Sequence, residues 1–486
     1  MGVLRFHVND ELVEIADVSP TRTVLEFLRT HHRATGTKEG CAEGDCGACT
    51  IVELDVTAPG GPRFRAVNSC LMLLPALHGR RIHTVEGLVR DGEPHLVQRT
   101  LAEHLGSQCG YCTPGVVMSL FEACHRTDLD ADWKLDDQMC GNLCRCTGYR
   151  PIRDATHAVA GAQPDDGFRT DGWDEQATDL SLEYQREGRR FFTPGTLDSL
   201  VETMEAHPDH RLLAGATDLG LDVTKGRVRF PCLISLEGLP ELRQIERTAS
   251  GWTLGAMCRL ADLEADLADE LPMLVRMLRF FGARQIKNRA TLGGNLCNAS
   301  PIGDTPPVLL ALDATLVLRS RSGERRVSID DFFEGYRKTA LRPGEFLTAI
   351  EIPRPPADAR MGSYKVSRRR ELDISAVCAA MRVRVDAEGI ITEARIAYGG
   401  MAATPARAHA TEAALIGSPY AEAAFAEAAE QLATDFQPLS DHRGSAWYRG
   451  QVARNLLIGF HAETIGGAFV VLPNAPSGTV VLGGDA

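Results

Sequence analysis

The sequence predicts an α+β chain of several domains, and three observations carry that prediction. Its 486 residues, 44% hydrophobic and 24% charged, are too many for one core and suit roughly three or four domains. Ten of the 14 cysteines fall before residue 147 and only four follow, so the N-terminal third is chemically set apart. Along the whole chain, short segments that alternate like strands are interleaved with segments of helical period.

Charge and hydropathy exclude some partners. The formal net charge is −13, and no run of like charge is longer than Arg368, Arg369 and Arg370, so the basic footprint that nucleic acid demands is missing. No stretch of 18 or more apolar residues is present, and MGVLRFHVNDELVE opens like a strand and not like a secretion signal. A cytoplasmic protein that binds neither nucleic acid nor membrane is expected, and in that setting crowded cysteines point to metal before disulfides.

Taken in order, LRFHVN and LVEIA read as a hairpin, TVLEFLRTHH as a helix, and CTIVELDV with FRAVNSCLML as further strands. That is a β-grasp order. Within it, CAEGDCGACT carries Cys41, Cys46 and Cys49, and Cys70 follows after twenty residues. Gaps of four and two with a distant fourth cysteine are the plant-type 2Fe-2S spacing. Gly40, Gly44 and Gly47 suit a loop that must bring backbone N–H groups close to sulfur. Structural zinc would tolerate the same glycines, but zinc sites usually pair short two-cysteine knuckles, so 2Fe-2S is the expected occupant.

A second set follows: Cys109 and Cys112, then 31 residues, then Cys144 and Cys146. Thr113 and Pro114 read as an N-cap and a first helical position ahead of VVMSLFEACHR, and PIRDATHAVAGA opens another helix just beyond Cys146. The first pair should therefore sit at a helix N-terminus, where amides and macrodipole favour an anionic thiolate cluster. Spacing alone leaves zinc open here. Cys124 reads as a small buried hydrophobe, and Cys140 is a rival ligand beside Cys144.

Downstream, HRLLAGATDLGLDVTKG is a short strand running through a glycine turn into a helix, a shape able to hold a pyrophosphate but equally a plain junction. In FFGARQIKNRATLGGNLCNASPIGDTPPVLLALDATLVL, small residues and turn formers precede a helix, which lets backbone approach a large planar ligand. Beyond residue 376, AVCAAMRVRV and ITEARIAYGG alternate around a turn, and helices are expected at 405–416, 419–434 and 446–461. His409, His442 and His461 read as ordinary surface or packing residues.

The strings QCGYCTPG and GNLCRCTGYRPI, preceded by the plant-type loop, resemble the iron–sulfur module of the molybdenum hydroxylases, the xanthine dehydrogenase and aldehyde oxidase family. The ATLGGN and SPIGD elements, with FFEGYRKTALRPGEFL and YKVSRRRELDISAV, resemble the flavin-binding domain of the same family. The resemblance implies a β-grasp 2Fe-2S ferredoxin domain at 1–84, a four-helix 2Fe-2S domain at 85–162 and a linker at 163–186. A two-part α/β FAD-binding domain at 187–360, a C-terminal α+β flavoprotein subdomain at 361–470 and a tail at 471–486 would follow.

Carried over by position, Leu212, Leu213, Ala214, Gly215, Ala216, Thr217, Asp218 and Leu219 would wrap the FAD diphosphate. Thr291, Leu292, Gly293, Gly294 and Asn295 would continue that cradle, and Phe281 would flank the adenine or the ring region. Asp304, Leu347 and Lys365 fall at the remaining flavin positions, although Lys365 alone would read as a solvated charge. Gln108 would touch a pterin. In single-chain members of the family a molybdopterin domain would follow; here molybdopterin is expected instead on a large partner subunit, in a heterotetramer of two small and two large chains.

The activity implied is NAD-dependent oxidation of hypoxanthine and xanthine to urate, with no acid–base residue of that reaction in this chain and NAD as the final acceptor. Oxidation of an aldehyde or another N-heterocycle, and a non-enzymatic zinc module, are the alternatives.

Overall fold

A computed structural model of the chain describes residues 2–58, 61–169, 179–369 and 372–465. The expected tail at 471–486 lies outside the described residues. The chain divides into two compact units, Met1–Pro240 with Ala283–Ala290, and Glu241–Gly282 with Thr291–Ala486.

In the first unit, β1 (Leu4–Val8) and β2 (Glu11–Ile15) form the expected hairpin, paired from Leu4 opposite Ile15 to Val8 opposite Glu11. With β3 (Thr50–Asp55), β4 (Arg63–Asn68) and β5 (Arg81–His83) they make a five-stranded sheet of order β2-β1-β5-β3-β4. Helix α1 (Val24–Thr30) starts because the Thr23 hydroxyl accepts from the Glu26 N–H at 3.1 Å. It buries Val24, Phe27 and Leu28 on one face of this sheet, against Leu4, Phe6, Ile51 and Val67. Since side chains alternate along a strand, Val52 and Leu54 point the other way and meet a second core.

That second core belongs to four helices: α2 (Leu96–Glu103), α3 (Thr113–Cys124), α4 (Asp132–Met139) and α5 (Arg150–Val159). Helix α3 is buried all round from Gly115 to Cys124, as a helix apolar on every face must be. Cys124 packs as the expected small hydrophobe, with no exposed surface and its thiol directed to the Phe121 carbonyl at 3.2 Å.

The stretch 163–186, expected as an extended connector, carries structure at both described ends. Phe168 is buried under Arg90, whose guanidinium lies 3.8 Å from the ring centre, and Asp166 accepts from His95 Nε2 at 2.9 Å. Residues 182–186 are already a strand, β6 (Leu182–Arg186), in a hairpin with β7 (Arg189–Thr193). One apolar residue among charges gives no period to read, which is why the sequence missed the first end.

Helix α6 (Leu197–Ala206), β8 (His210–Leu213), α7 (Leu219–Thr224) and β9 (Cys232–Ser235) complete a sheet of order β6-β7-β9-β8, with β9 parallel to both neighbours. Tyr184, Phe191, Leu213 and Leu233 share the α1 core, and the Tyr184 hydroxyl donates to the Val18 carbonyl at 2.6 Å. Glu53, Arg80, Glu237 and Arg289 form a buried ring of alternating charge in which each arginine bridges both glutamates.

In the second unit, an antiparallel five-stranded sheet runs in the order Ile245–Arg247, Gly251–Gly255, Phe346–Pro353, Thr315–Ser320, Gly323–Ser328. An antiparallel meander of Arg360–Val366, Val377–Val385, Ile391–Gly399 and Ala406–Arg407 follows. The helices expected at 405–416, 419–434 and 446–461 appear as His409–Leu415, Glu422–Glu430 with Leu432–Asp435, and Ala446–Thr464. The first starts late because Ala406 pairs with Tyr398 as a strand. Among the described residues no helix is long and apolar enough to cross a membrane.

His83, at the end of β5, has no exposed surface and packs between Phe64, Phe121 and Phe168, with neither ring nitrogen hydrogen-bonded. Burial first, then Arg81 and Arg90, push its pKa down to about 3. In the unfolded chain the same ring protonates at about 6.5. Below that pH the unfolded state therefore binds a proton that the native state refuses, and the folding constant falls roughly tenfold per pH unit until the native ring protonates too. His83→Leu should flatten this part of the acid limb, which urea titrations of both proteins at pH values between 6.5 and 4 would measure.

Candidate metal centres and flavin site

The loop from Gly40 to Cys49 is shaped for sulfur. Gly44 and Gly47 have φ of 87° and 69°, values that other residues resist. A Cβ on Gly40 would stand 2.6 Å from Cys46 Sγ. Backbone N–H groups of Glu43, Asp45 and Cys46 donate to Cys41 Sγ at 3.4, 3.3 and 3.4 Å, and Asn68 Nδ2 donates to Cys49 Sγ at 3.7 Å. Cys49 and Cys70 are buried beside Leu25 and Leu71, and Cys41 and Cys46 are half-buried.

Thiols in this loop meet two by two. The Cys46 thiol and those backbone N–H groups bring Cys41 down to about 5, and the same bond pushes Cys46 up. Cys70 likewise holds Cys49 down and is itself pushed up. Each pair thus favours a single negative charge. A metal ion between two such sulfurs would replace the remaining proton, because the ligating form is thiolate.

In the second set, Cys112 is the N-cap of α3, one residue earlier than the sequence indicated. Thr113 fails to cap because its hydroxyl hydrogen-bonds Ser107 Oγ at 2.6 Å. The pairing repeats here: the Tyr111 N–H and the Cys146 thiol hold Cys109 down, while burial and Cys144 push Cys112 up to about 12. Cys144 is held low, against its burial, by the Thr147 hydroxyl at 3.1 Å. Cys109 and Cys146 are exposed, as is Gln108, whereas Cys144 is buried. Cys140 caps the far end of α4 and is half-buried.

Among the described residues no three His, Cys, Asp or Glu side chains converge as they would around one ion. Pairs of thiols suit a two-iron cluster, which takes two protein ligands per iron, better than tetrahedral zinc. Both sets therefore fit a 2Fe-2S group.

The flavin-type residues lie in both units and are described unit by unit. In the first, the turn from Ala214 to Asp218 joins β8 to α7, with Ala216 at φ 64°. Gly215 has no room for a side chain, since a Cβ would stand 1.7 Å from the Arg289 carbonyl. Leu213 and Ala216 are buried, and Leu212, Ala214, Thr217 and Leu219 are half-buried.

In the second unit, the Thr291 hydroxyl caps Leu292–Cys297 by accepting from the Gly294 N–H at 3.0 Å. A Cβ on Gly293 would stand 2.6 Å from the Ala256 carbonyl, and Asn295 Oδ1 accepts from the Thr305 hydroxyl at 2.6 Å. Leu347 is buried and Phe281 half-buried. Lys365 is not a solvated charge: its side chain is 3% exposed and donates to Asp304 Oδ2 at 2.8 Å, while Ser375 donates to Oδ1. In each unit, close-packed glycines leave backbone where side chains would otherwise stand, as a cradle for a dinucleotide needs.

Sequence reasoning missed the segment Ala283–Ala290. Gln285 Nε2 donates to Asn142 Oδ1, Ser119 Oγ and Thr50 Oγ1 at 2.9, 3.1 and 3.3 Å, and Lys287 Nζ sits 2.9 Å from Asp137. It thus ties the cluster loop's sheet to the four helices. Its polar residues show no period, so no local signal could have found it.

Four family models match: the 2Fe-2S iron-sulfur cluster binding domain at 6–74, the 2Fe-2S binding domain at 84–157, the FAD binding domain in molybdopterin dehydrogenase at 183–355, and the CO dehydrogenase flavoprotein C-terminal domain at 362–464. The chain is 32% identical to the xanthine dehydrogenase of Emericella nidulans over 95% of its own length and 38% of the relative's. It is 33% identical to the xanthine dehydrogenase/oxidase of Rattus norvegicus over 82% and 34%. It thus spans little more than a third of the length of these relatives. Among solved structures, quinoline 2-oxidoreductase from Pseudomonas putida 86 matches at 30% identity and a TM-score of 0.53, over 57% of this chain and 97% of that one. The chain belongs to the molybdenum hydroxylase family and consists of that family's 2Fe-2S and FAD electron-transfer domains.

Proposed function

We propose that this chain is the electron-transfer part of a xanthine dehydrogenase, serving the oxidation of hypoxanthine and xanthine to urate with NAD as acceptor. The observation that carries the reading is a cysteine loop whose backbone N–H groups donate to Cys41 Sγ and a second cysteine set opening α3 in a separate module, upstream of a flavin-type domain. Cys41, Cys46, Cys49 and Cys70 would hold one cluster, and Cys109, Cys112, Cys144 and Cys146 the other. The flavin would rest on Leu212 to Leu219, Phe281, Thr291 to Asn295, Asp304, Leu347 and Lys365. When bound, the clusters carry single electrons and FAD gathers two for transfer to NAD as a hydride.

The chain's own work is positioning and tuning. Backbone N–H groups of Glu43, Asp45 and Cys46 donate to Cys41 Sγ and would stabilise negative charge on a cluster held there, and the burial of Cys49 and Cys70 would keep water from two of the ligating sulfurs. Exposed Cys109, Cys146 and Gln108 offer a face for a molybdopterin-binding subunit, in a cytoplasmic heterotetramer of two small and two large chains.

The test is the purified complex given xanthine and NAD. NADH should form in step with urate. Turnover of an N-heterocycle such as quinoline without xanthine turnover would favour a second reading, which the match to quinoline 2-oxidoreductase supports. Absence of NADH with xanthine would contradict the proposal.

A further inference from the structure

The loop from Cys144 to Tyr149 is closed on itself in a way that ligand spacing does not require. Tyr149 has a left-handed backbone at φ 68°, unusual for a bulky residue. Its N–H donates to Thr147 Oγ1 at 3.2 Å, and its hydroxyl oxygen accepts from the Cys144 N–H at 3.1 Å. The Thr147 hydroxyl lies 3.1 Å from Cys144 Sγ, and since a ligating sulfur is a thiolate with no proton of its own, the hydroxyl is the donor of that bond.

We infer that Thr147 is a redox-tuning residue for the cluster held by Cys109, Cys112, Cys144 and Cys146, with Tyr149 as the clamp that aims its hydroxyl at the Cys144 sulfur. The inference rests on the reading that these four thiolates hold a 2Fe-2S group. One electron taken up by the cluster adds negative charge that spreads onto its sulfurs, and Thr147 keeps its proton throughout. A hydrogen bond to sulfur is stronger in the reduced form, so it favours electron uptake and raises the potential.

The experiment is a dithionite titration of the full chain in its native complex, followed by electron paramagnetic resonance, for Thr147→Val, Thr147→Ala and Thr147→Ser. Removing the hydroxyl should lower the equilibrium for placing an electron on this cluster about tenfold, a fall of about 59 mV for a one-electron couple. Thr147→Val and Thr147→Ala should both fall, Thr147→Ser should stay with the parent, and the other cluster should not move. The alanine and serine pair decides the matter if the valine protein takes up no iron. Equal potentials in alanine and serine variants, or a serine variant that falls with alanine, would overturn the inference. Iron and sulfide content of the parent protein tests the underlying reading separately.

Discussion

Cys112→Ala is expected to yield a protein that keeps its flavin and one cluster and loses the other. Cys112 pairs with Cys144 at the start of α3, while the thiols of the other set draw their hydrogen bonds from Glu43, Asp45, Cys46 and Asn68. With three thiolates left, one iron loses half of its protein ligands. Iron per chain should therefore drop from about four to about two, and one of two electron paramagnetic resonance signals should vanish. Reduction by xanthine should stop, whereas NADH-to-dye activity, which on the proposed route needs only FAD, should survive. Loss of flavin together with the cluster would contradict the modular reading.

Lys287→Met should be strongly destabilising. The Lys287 side chain has no exposed surface, and its ammonium lies 2.9 and 3.1 Å from the two oxygens of Asp137, itself 7% exposed. Methionine matches the stem but leaves the carboxylate buried without its cation, a change that costs about 3–5 kcal/mol. Urea unfolding followed through loss of cluster absorbance should show the midpoint move down accordingly. Adding Asp137→Leu should recover part of the loss, since an apolar pair leaves no buried charge. An unchanged midpoint in Lys287→Met would mean that Ala283–Ala290 does not pin the two cluster-bearing modules together.

Much of this architecture is legible in the sequence because the signals are local. Cysteine gaps specify ligand loops, and alternation specifies β1 to β3 and the start of β4 within a residue or two, although the strand expected over FRAVNSCLML stops at Asn68. The illegible parts depend on partners far along the chain. Gln285 meets Asn142 across 143 positions and Lys287 meets Asp137 across 150, which no window of periodicity can reach. Where local rules failed, a specific competitor won: the Thr113 hydroxyl hydrogen-bonds Ser107, and Cys112 takes the N-cap position of α3. Lys365, solvated on sequence pattern alone, is instead buried against Asp304.

The central claim is that eight sulfurs hold two pairs of irons in a chain that also binds flavin. Elemental, sulfide and flavin analysis of the purified protein tests it most directly. About four irons, about four acid-labile sulfides and about one FAD per chain are expected. Zinc in place of iron, or a preparation with neither sulfide nor flavin, would contradict it.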